Sequence, residues 1–207
     1  MPTYKLLLHR IFLLFVVLAI VSCEKDTDIS VKSEAIEAKK GRTTDSYTTY
    51  VIRKGQHSSD NSPYKSLSTN SLKFEAIFDQ SAVYQTENAN NQADINKLYG
   101  MADCSSLHQS NSARFGWRWY NNKLEILGYV YNNGTRHYKL IGAVELNQPQ
   151  RFELLLDGNT YIFRVNGLSE VVLPRGCSGT GRGYRLYPYF GGDEVAPHDI
   201  TIKIKNL

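Results

Sequence analysis

The sequence predicts an all-β domain built as an antiparallel sandwich of two packed sheets. Ten runs of apolar/polar alternation with a period of two lie between residues 47 and 207, the pattern of half-buried strands. Asn-Asn, Asn-Gly and Asp-Gly pairs separate many of them, at places where a tight turn needs positive φ. No helical period is sustained over this region.

The first segment, MPTYKLLLHR followed by IFLLFVVLAI and Val21-Ser22-Cys23, has the basic start, short apolar run and small residues of a secretion signal. Its apolar run falls short of the roughly 20 residues that span a bilayer. Ile20-Val21-Ser22-Cys23 resembles the lipobox of bacterial lipoproteins, and Glu24, Lys25, Asp26 and Asp28 resemble the acidic tether of surface-exported lipoproteins in Bacteroidota-type bacteria. The resemblance implies that residues 1–22 are removed, that Cys23 is lipidated, and that the protein is lipid-anchored in the outer membrane at the cell surface. An uncleaved anchor helix is the other reading of the same segment.

Taking 22 residues from 207, with Lys5 and Arg10 among them, turns a formal charge of +4 into +2. So small an excess, with no clustered basic stripe, argues against a nucleic-acid partner. Residues 23–46 are polar and charged and cannot bury enough surface to offset their ordering entropy, so they read as a flexible tether. An amphipathic helix over 31–40 would be marginal alone.

The domain proper is expected over residues 47–207. Strands are expected at 47–53, 71–78, 114–119, 123–131, 137–146, 151–156, 160–165, 171–173, 184–190 and 199–205. Turns at Asn121-Asn122, Asn132-Asn133-Gly134, Asp157-Gly158-Asn159 and Asn166-Gly167 place successive hairpins, an antiparallel meander, in the second half. Residues 80–112 break the pattern. This stretch is rich in Asn, Gln and Ser, suggests a helical turn or two at 92–98, and reads as a long functional or mobile excursion.

Length, hairpin order and aromatic strands together resemble the concanavalin-like jelly roll of lectins, glucanases and alginate lyases, across residues 47–207. That resemblance implies a carbohydrate-related fold. The motifs of its catalytic families are missing: there is no alginate-lyase Gln-x-His coupled to a Tyr-rich last strand, and no Glu-x-Asp-x-x-Glu run of the laminarinase group.

With Cys23 lipidated, Cys104 and Cys177 are the remaining cysteines, and outside the cytoplasm they are expected to form a disulfide. Closing a loop of some 70 residues contributes about 4 kcal/mol on the chain-entropy account. Two separate buried thiols are the alternative. Neither cysteine has a ligand at metal-binding spacing, so no metal centre is expected there.

Alternation sorts the strand side chains onto faces. In ARFGWRW, Phe115, Trp117 and Trp119 oppose Arg114 and Arg118; in YRLYPYF, Tyr184, Leu186, Pro188 and Phe190 oppose Arg185, Tyr187 and Tyr189. In LEILGYVY, Tyr129 and Tyr131 lie opposite Leu124, Ile126 and Val130. If Arg114, Arg118, Tyr129, Tyr131, Arg185, Tyr187 and Tyr189 share the concave sheet, they form a platform for an anionic glycan, with tyrosine rings stacking on sugars and guanidinium forks holding carboxylates or sulfates. The alternative is that the tyrosines pack against the excursion and the arginines pair with carboxylates.

Further chemistry is less well supported. A uronate lyase needs a carboxylate neutraliser, a base and an acid, and His57, His108, His137 or His198 could serve beside the tyrosines. Retaining hydrolysis needs two facing carboxylates, and none of Glu75, Asp79, Glu125, Glu145 and Glu153 pair on one strand face. Asp79, Asp193, Glu194 and Asp199 could ligate Ca²⁺, though without a ligand-loop pattern. PRGCSGTGRG, at 174–183, is no phosphate loop, because it lacks lysine and is flanked by strands. The sequence therefore favours a non-catalytic, glycan-binding surface lipoprotein, with a uronate lyase or a structural, protein-binding component of an outer-membrane assembly as alternatives.

Overall fold

A computed structural model describes residues 46–207. The signal segment, Cys23, the tether up to residue 45 and the helix considered at 31–40 lie outside the described residues. The domain contains twelve strands: β1 (Thr48–Ile52), β2 (Ser66–Thr69), β3 (Ser71–Phe78), β4 (Asn96–Ala102), β5 (Ser112–Tyr120), β6 (Lys123–Asn132), β7 (Thr135–Val144), β8 (Gln150–Asp157), β9 (Thr160–Val165), β10 (Val171–Pro174), β11 (Gly181–Leu186) and β12 (Ile200–Asn206).

They form two six-stranded sheets, ordered β1-β12-β3-β8-β9-β10 and β2-β11-β4-β5-β6-β7, and every pairing within them is antiparallel. The expected meander is divided between the sheets, with β5-β6-β7 in one and β8-β9-β10 in the other. Asn121 and Asn122 both take positive φ (50° and 56°), as do Asn133 and Gly134 (49° and 81°). Those are the backbone conformations that reverse a chain between twisted strands in two residues.

The core lies between the sheets. Phe74 of β3 pairs in register with Phe152 of β8 and stacks on it at 4.9 Å, and Phe115 of β5 meets both rings edge-on at 5.7 and 5.0 Å. Trp117, Phe78, Phe163 and Tyr161 are buried in the same cluster. Each large side chain taken from water here contributes about 1.5–3 kcal/mol, so the inward half of the alternation is what joins the sheets.

Two strands escaped the sequence reading, β2 and β4. Strand β4 lies inside the excursion expected to be irregular with a helical turn, and it is an interior strand between β11 and β5; the 3₁₀ turn precedes it, at Ala89–Ala93. The cause is a bulge. Lys97 pairs with Gly116 and Gly100 with Arg114, so β4 carries one more residue than β5 over this interval. Leu98 and Tyr99 both pack on the core, and the alternation that would have revealed the strand is lost.

The expected strand at 184–190 is also corrected. Strand β11 ends at Leu186, and the chain then runs through Pro188 to an isolated bridge between Tyr189 and Lys97. Proline has no N–H to give a ladder, and the side-chain phase changes there. Arg185 pairs with Met101 on the core side, and Tyr187 packs against Tyr50 and Tyr99 at 5.8 Å each. Tyr184 and Leu186 take the opposite, outward face, while Phe190 returns to the core.

Cys104 and Cys177 are joined by a disulfide across 73 positions, with Cα atoms 5.8 Å apart. It ties the turn after β4 to the glycine-rich loop before β11. Beside it, the Asp103 carboxylate accepts hydrogen bonds from Arg175 Nε (2.7 Å), the Tyr161 hydroxyl (2.8 Å) and Arg182 N (3.0 Å). Burial pushes the Asp103 carboxyl upward, but Arg175, the Cys104 backbone N–H and Tyr161 outweigh it and hold the group below its ordinary value.

Candidate functional site

The outward face of the second sheet carries a pocket of about 260 Å³ lined by Lys97, His108, Gln109, Arg114, Tyr129, Tyr131 and Tyr189. Register explains the gathering. Arg114 lies between Gly100 and Tyr129, and Ser112 lies opposite Tyr131, so one face of three neighbouring strands supplies the floor. Gly100 has a specific part in this. A Cβ there would collide with the Ala113 carbonyl oxygen and with Arg114, so only glycine lets β4 pass this close to the arginine.

Arg114 is 8% exposed, and its Nε has no hydrogen-bond partner. Neither a hydrogen bond nor an ion pair reaches its guanidinium from the described residues, and no Asp or Glu lines the pocket. Burial works against its charge and pulls its pKa down, partly offset by Tyr129, Tyr131, Tyr189 and Tyr184. Arginine nonetheless stays cationic at neutral pH, so this is a buried positive charge without an anionic partner among the described residues.

Lys97 is the second cation. The bulge turns it onto the same face, and two backbone hydrogen bonds with Tyr189 (2.8 and 2.9 Å) fix its strand position. Its ammonium lies 4.9 Å from the Tyr129 ring centroid, and Gly191 leaves room for it, since a Cβ there would strike Nζ. Burial, then the fields of Arg114 and Arg136, push its pKa down to about 8, with Asp94 opposing.

Around these cations stand aromatic and neutral polar groups. Tyr129 and Tyr131 meet edge-to-face at 5.9 Å, and burial followed by the Tyr131 hydrogen bond pushes the Tyr129 hydroxyl up to about 12. Tyr189 is 37% exposed and stacks on His57 at 5.3 Å. His108 enters from the turn after β4, held by the Tyr184 hydroxyl at 2.9 Å from Nδ1. Burial and then Arg114 lower its pKa, so the ring is neutral at pH 7.

Of the seven residues expected on one platform, Arg114, Tyr129, Tyr131 and Tyr189 meet at this pocket. Arg118 shares the outward face but is paired with Glu125 at 2.7 Å, donates to Ala93 O at 2.7 Å, and covers the Tyr120 ring. Arg185 and Tyr187 lie on the core side: Arg185 donates to Asn206 Oδ1 at 3.0 Å and covers the Tyr99 ring at 4.6 Å. The change of phase at Pro188 moved them.

Of the histidines, only His108 lines this pocket; His57 Nδ1 and His198 Nε2 lie 2.9 Å from the carbonyl oxygens of Phe190 and Ser81. Of the four carboxylates considered for Ca²⁺, three have separate local partners, and among the described residues Asp193 has only a backbone N–H donating to Asp94. Asp79 caps the turn at Ser81, Glu194 accepts from Glu87 N, Asn88 N and Asn91, and Asp199 binds Arg53 and Lys54 N.

Lys97 and Gln109 were missed because both lie in the stretch read as irregular. The available signal for Lys97 was the short apolar run in KLYGMA, which fits a strand buried on both faces but falls inside that stretch. Nothing in the sequence distinguished Gln109.

No protein-family model matches the chain, and no curated protein matches it in sequence. Its fold, however, recurs among solved structures. An alginate lyase superimposes with a TM-score of 0.54 at 11% identity, over 76% of this chain and 72% of that one. A glycoside hydrolase family 16 endo-glucanase from Bacteroides ovatus gives 0.52 at 8% identity, over 78% and 80%. An alginate lyase from a Chlorella virus gives 0.50 at 16% identity, over 77% and 82%. With its two six-stranded antiparallel sheets, the described domain has the concanavalin-like jelly-roll fold that these enzymes share.

Proposed function

We propose that the pocket binds an acidic unit of a glycan. The carrying observation is the Arg114 guanidinium, buried without an anionic partner in a pocket that contains a second cation and no carboxylate. An unpaired charge out of water costs several kcal/mol, and a carboxylate or sulfate between Arg114 and Lys97 would relieve that cost. Tyr131 and Tyr189 offer rings on which a pyranose face can stack. The names of the fold neighbours, alginate lyases and endo-glucanases, support a polysaccharide ligand, while the missing carboxylate pair speaks against retaining hydrolysis.

The test is calorimetric titration of the protein with uronate-bearing and neutral oligosaccharides. Binding confined to the acidic ligands, and weakened at least tenfold in Arg114→Met, is the expected result. Equal binding of neutral sugars, or no loss in that variant, would overturn the reading.

A second reading, β-elimination on a uronate, is favoured by one observation: His108, whose pKa is lowered by burial and by Arg114, lies in the same pocket as the two cations. In that reaction Arg114 and Lys97 neutralise the carboxylate, a neutral base takes the C5 proton, and the C4–O bond breaks to leave a C4=C5 double bond. A tyrosine hydroxyl supplies the proton to the leaving oxygen. Ultraviolet absorbance of unsaturated uronate ends decides it: a flat trace on alginate, pectate and glycosaminoglycans leaves binding alone.

The lipobox-like Ile20-Val21-Ser22-Cys23 and the polar stretch that follows support placing this domain at the outer-membrane surface, held by a lipid on Cys23.

A further inference from the structure

We infer that the acidic-glycan site continues across β11 to β2, and that its ligand is an extended acidic polysaccharide with consecutive charged units rather than a single terminal acidic sugar. This rests on the reading of the Arg114 pocket given above and extends it to a second, separate set of residues.

A larger cavity of about 700 Å³ lies beside the first, lined in part by Tyr64, Tyr184, Ser66, Ser68, Leu107 and Arg182. Register places it on the same sheet face. Tyr184 pairs with Ser66 and Arg182 with Ser68, and the alternation that turns Tyr184 outward turns Arg182 outward as well. A Cβ on Gly181 would run into Leu156 and Met101, which marks the opposite face as the core side. Only β4 separates β11 from β5, the strand of Arg114, so these two strands lie about 10 Å apart across the sheet.

Tyr184 links them. Its hydroxyl meets His108, which lines the first pocket, and its ring lies 5.7 Å from that of Tyr64, tilted by 33°. Tyr64 is 80% exposed and Leu107 68%. The exposed Tyr64 ring beside the half-buried Tyr184 ring, with Leu107 at the same cavity, is an apolar surface on which a pyranose can stack. Arg182 is exposed, and its guanidinium has no partner among the described residues. The Arg182 backbone, by contrast, is fixed from both directions: its N donates to Asp103 at 3.0 Å, and its carbonyl accepts from Ser105 N at 2.8 Å. A free guanidinium on a rigid strand beside stacking rings calls for a second anionic group on the neighbouring unit.

The experiment titrates the full chain with oligouronates of one, two, four and six units, and with neutral cello-oligosaccharides of matched length. Affinity is expected to rise at least tenfold from one unit to four for the acidic series only. Arg182→Ala should lower tetrasaccharide affinity by about tenfold, as expected for a charge-assisted hydrogen bond, and Tyr64→Ala by about threefold to tenfold. Neither should change monosaccharide binding. Both side chains are exposed, so the variants keep the fold. Monosaccharide binding with no gain in length, or a gain untouched by both variants, overturns the extension and leaves the pocket reading standing. An equal gain in the neutral series overturns the charged second unit. Absence of binding at every length overturns both.

Discussion

In Arg114 and Lys97 the charge that the proposed site requires is costly to the fold, because each is held largely out of water. Replacing a buried, unpaired arginine by an apolar residue of similar length removes a desolvation penalty, a change that stabilises by about 1–4 kcal/mol when the packing is kept. Arg114→Met should therefore raise the thermal midpoint by several degrees while weakening binding of acidic ligands by about tenfold or more, a trade of stability for function. A lowered midpoint in scanning calorimetry would instead mean that the guanidinium has a structural partner. Lys97 sets the pH response. With its pKa pushed down to about 8 by burial and by Arg114 and Arg136, it is charged below that pH and neutral above it. Affinity for an acidic glycan should hold at pH 6–7 and fall by up to about tenfold per unit above pH 8. Lys97→Met should flatten that decline, and an unchanged profile would exclude the ammonium from the site.

At the scale of the element, legibility followed from how each strand meets the core. In β5 the inward Phe115 and Trp117 contrast with the outward Arg114 and Arg118, so period two was plain, and the outward face of Arg114, the buried cation of the pocket, could be read off one strand. Strand β4 hid because its bulge sends Leu98 and Tyr99 to the core together, and Arg185 and Tyr187 were assigned to the wrong face because alternation was carried through Pro188. In both cases the pattern fails where the backbone departs from the regular pleat, and the pocket is built on one of those departures. Asp103, just past β4, carries the prediction for this level. It is the buried partner of Arg175, with both side chains fully inaccessible. Asp103→Ala would leave the guanidinium unpaired and should destabilise by about 3–5 kcal/mol. The double variant Asp103→Ala/Arg175→Met should recover much of the loss. Chemical denaturation of the three proteins reports this directly, and strictly additive effects would show that the two groups do not act as a pair. The sign with pH also follows. Because the Asp103 carboxyl is held below its ordinary value, its stabilisation is present above the unfolded-state pKa and is lost as the pH falls through the folded one.

For the whole molecule, the fold was legible because turn residues and alternation agree over most of the domain, whereas the ligand depends on which strands become neighbours, and no single strand encodes that. Arg114, Lys97 and Tyr189 come together through pairings between chain segments up to 92 positions apart, as in the bridge of Lys97 to Tyr189. The residues lining the pocket also lie entirely within 97–189, which separates the proposed ligand site from the proposed lipid anchor in the sequence. The proposed anchor at Cys23 can thus be removed without touching a pocket residue. Cys23→Ala should abolish incorporation of a palmitate analogue and move the protein from the membrane to the soluble fraction, while oligouronate affinity in solution stays within about twofold of the parent, because sites that share no partners are normally independent. Continued labelling of the variant would place the lipid elsewhere or rule it out at this cysteine. Loss of binding together with the anchor would show that the pocket and the N-terminal segment are coupled after all.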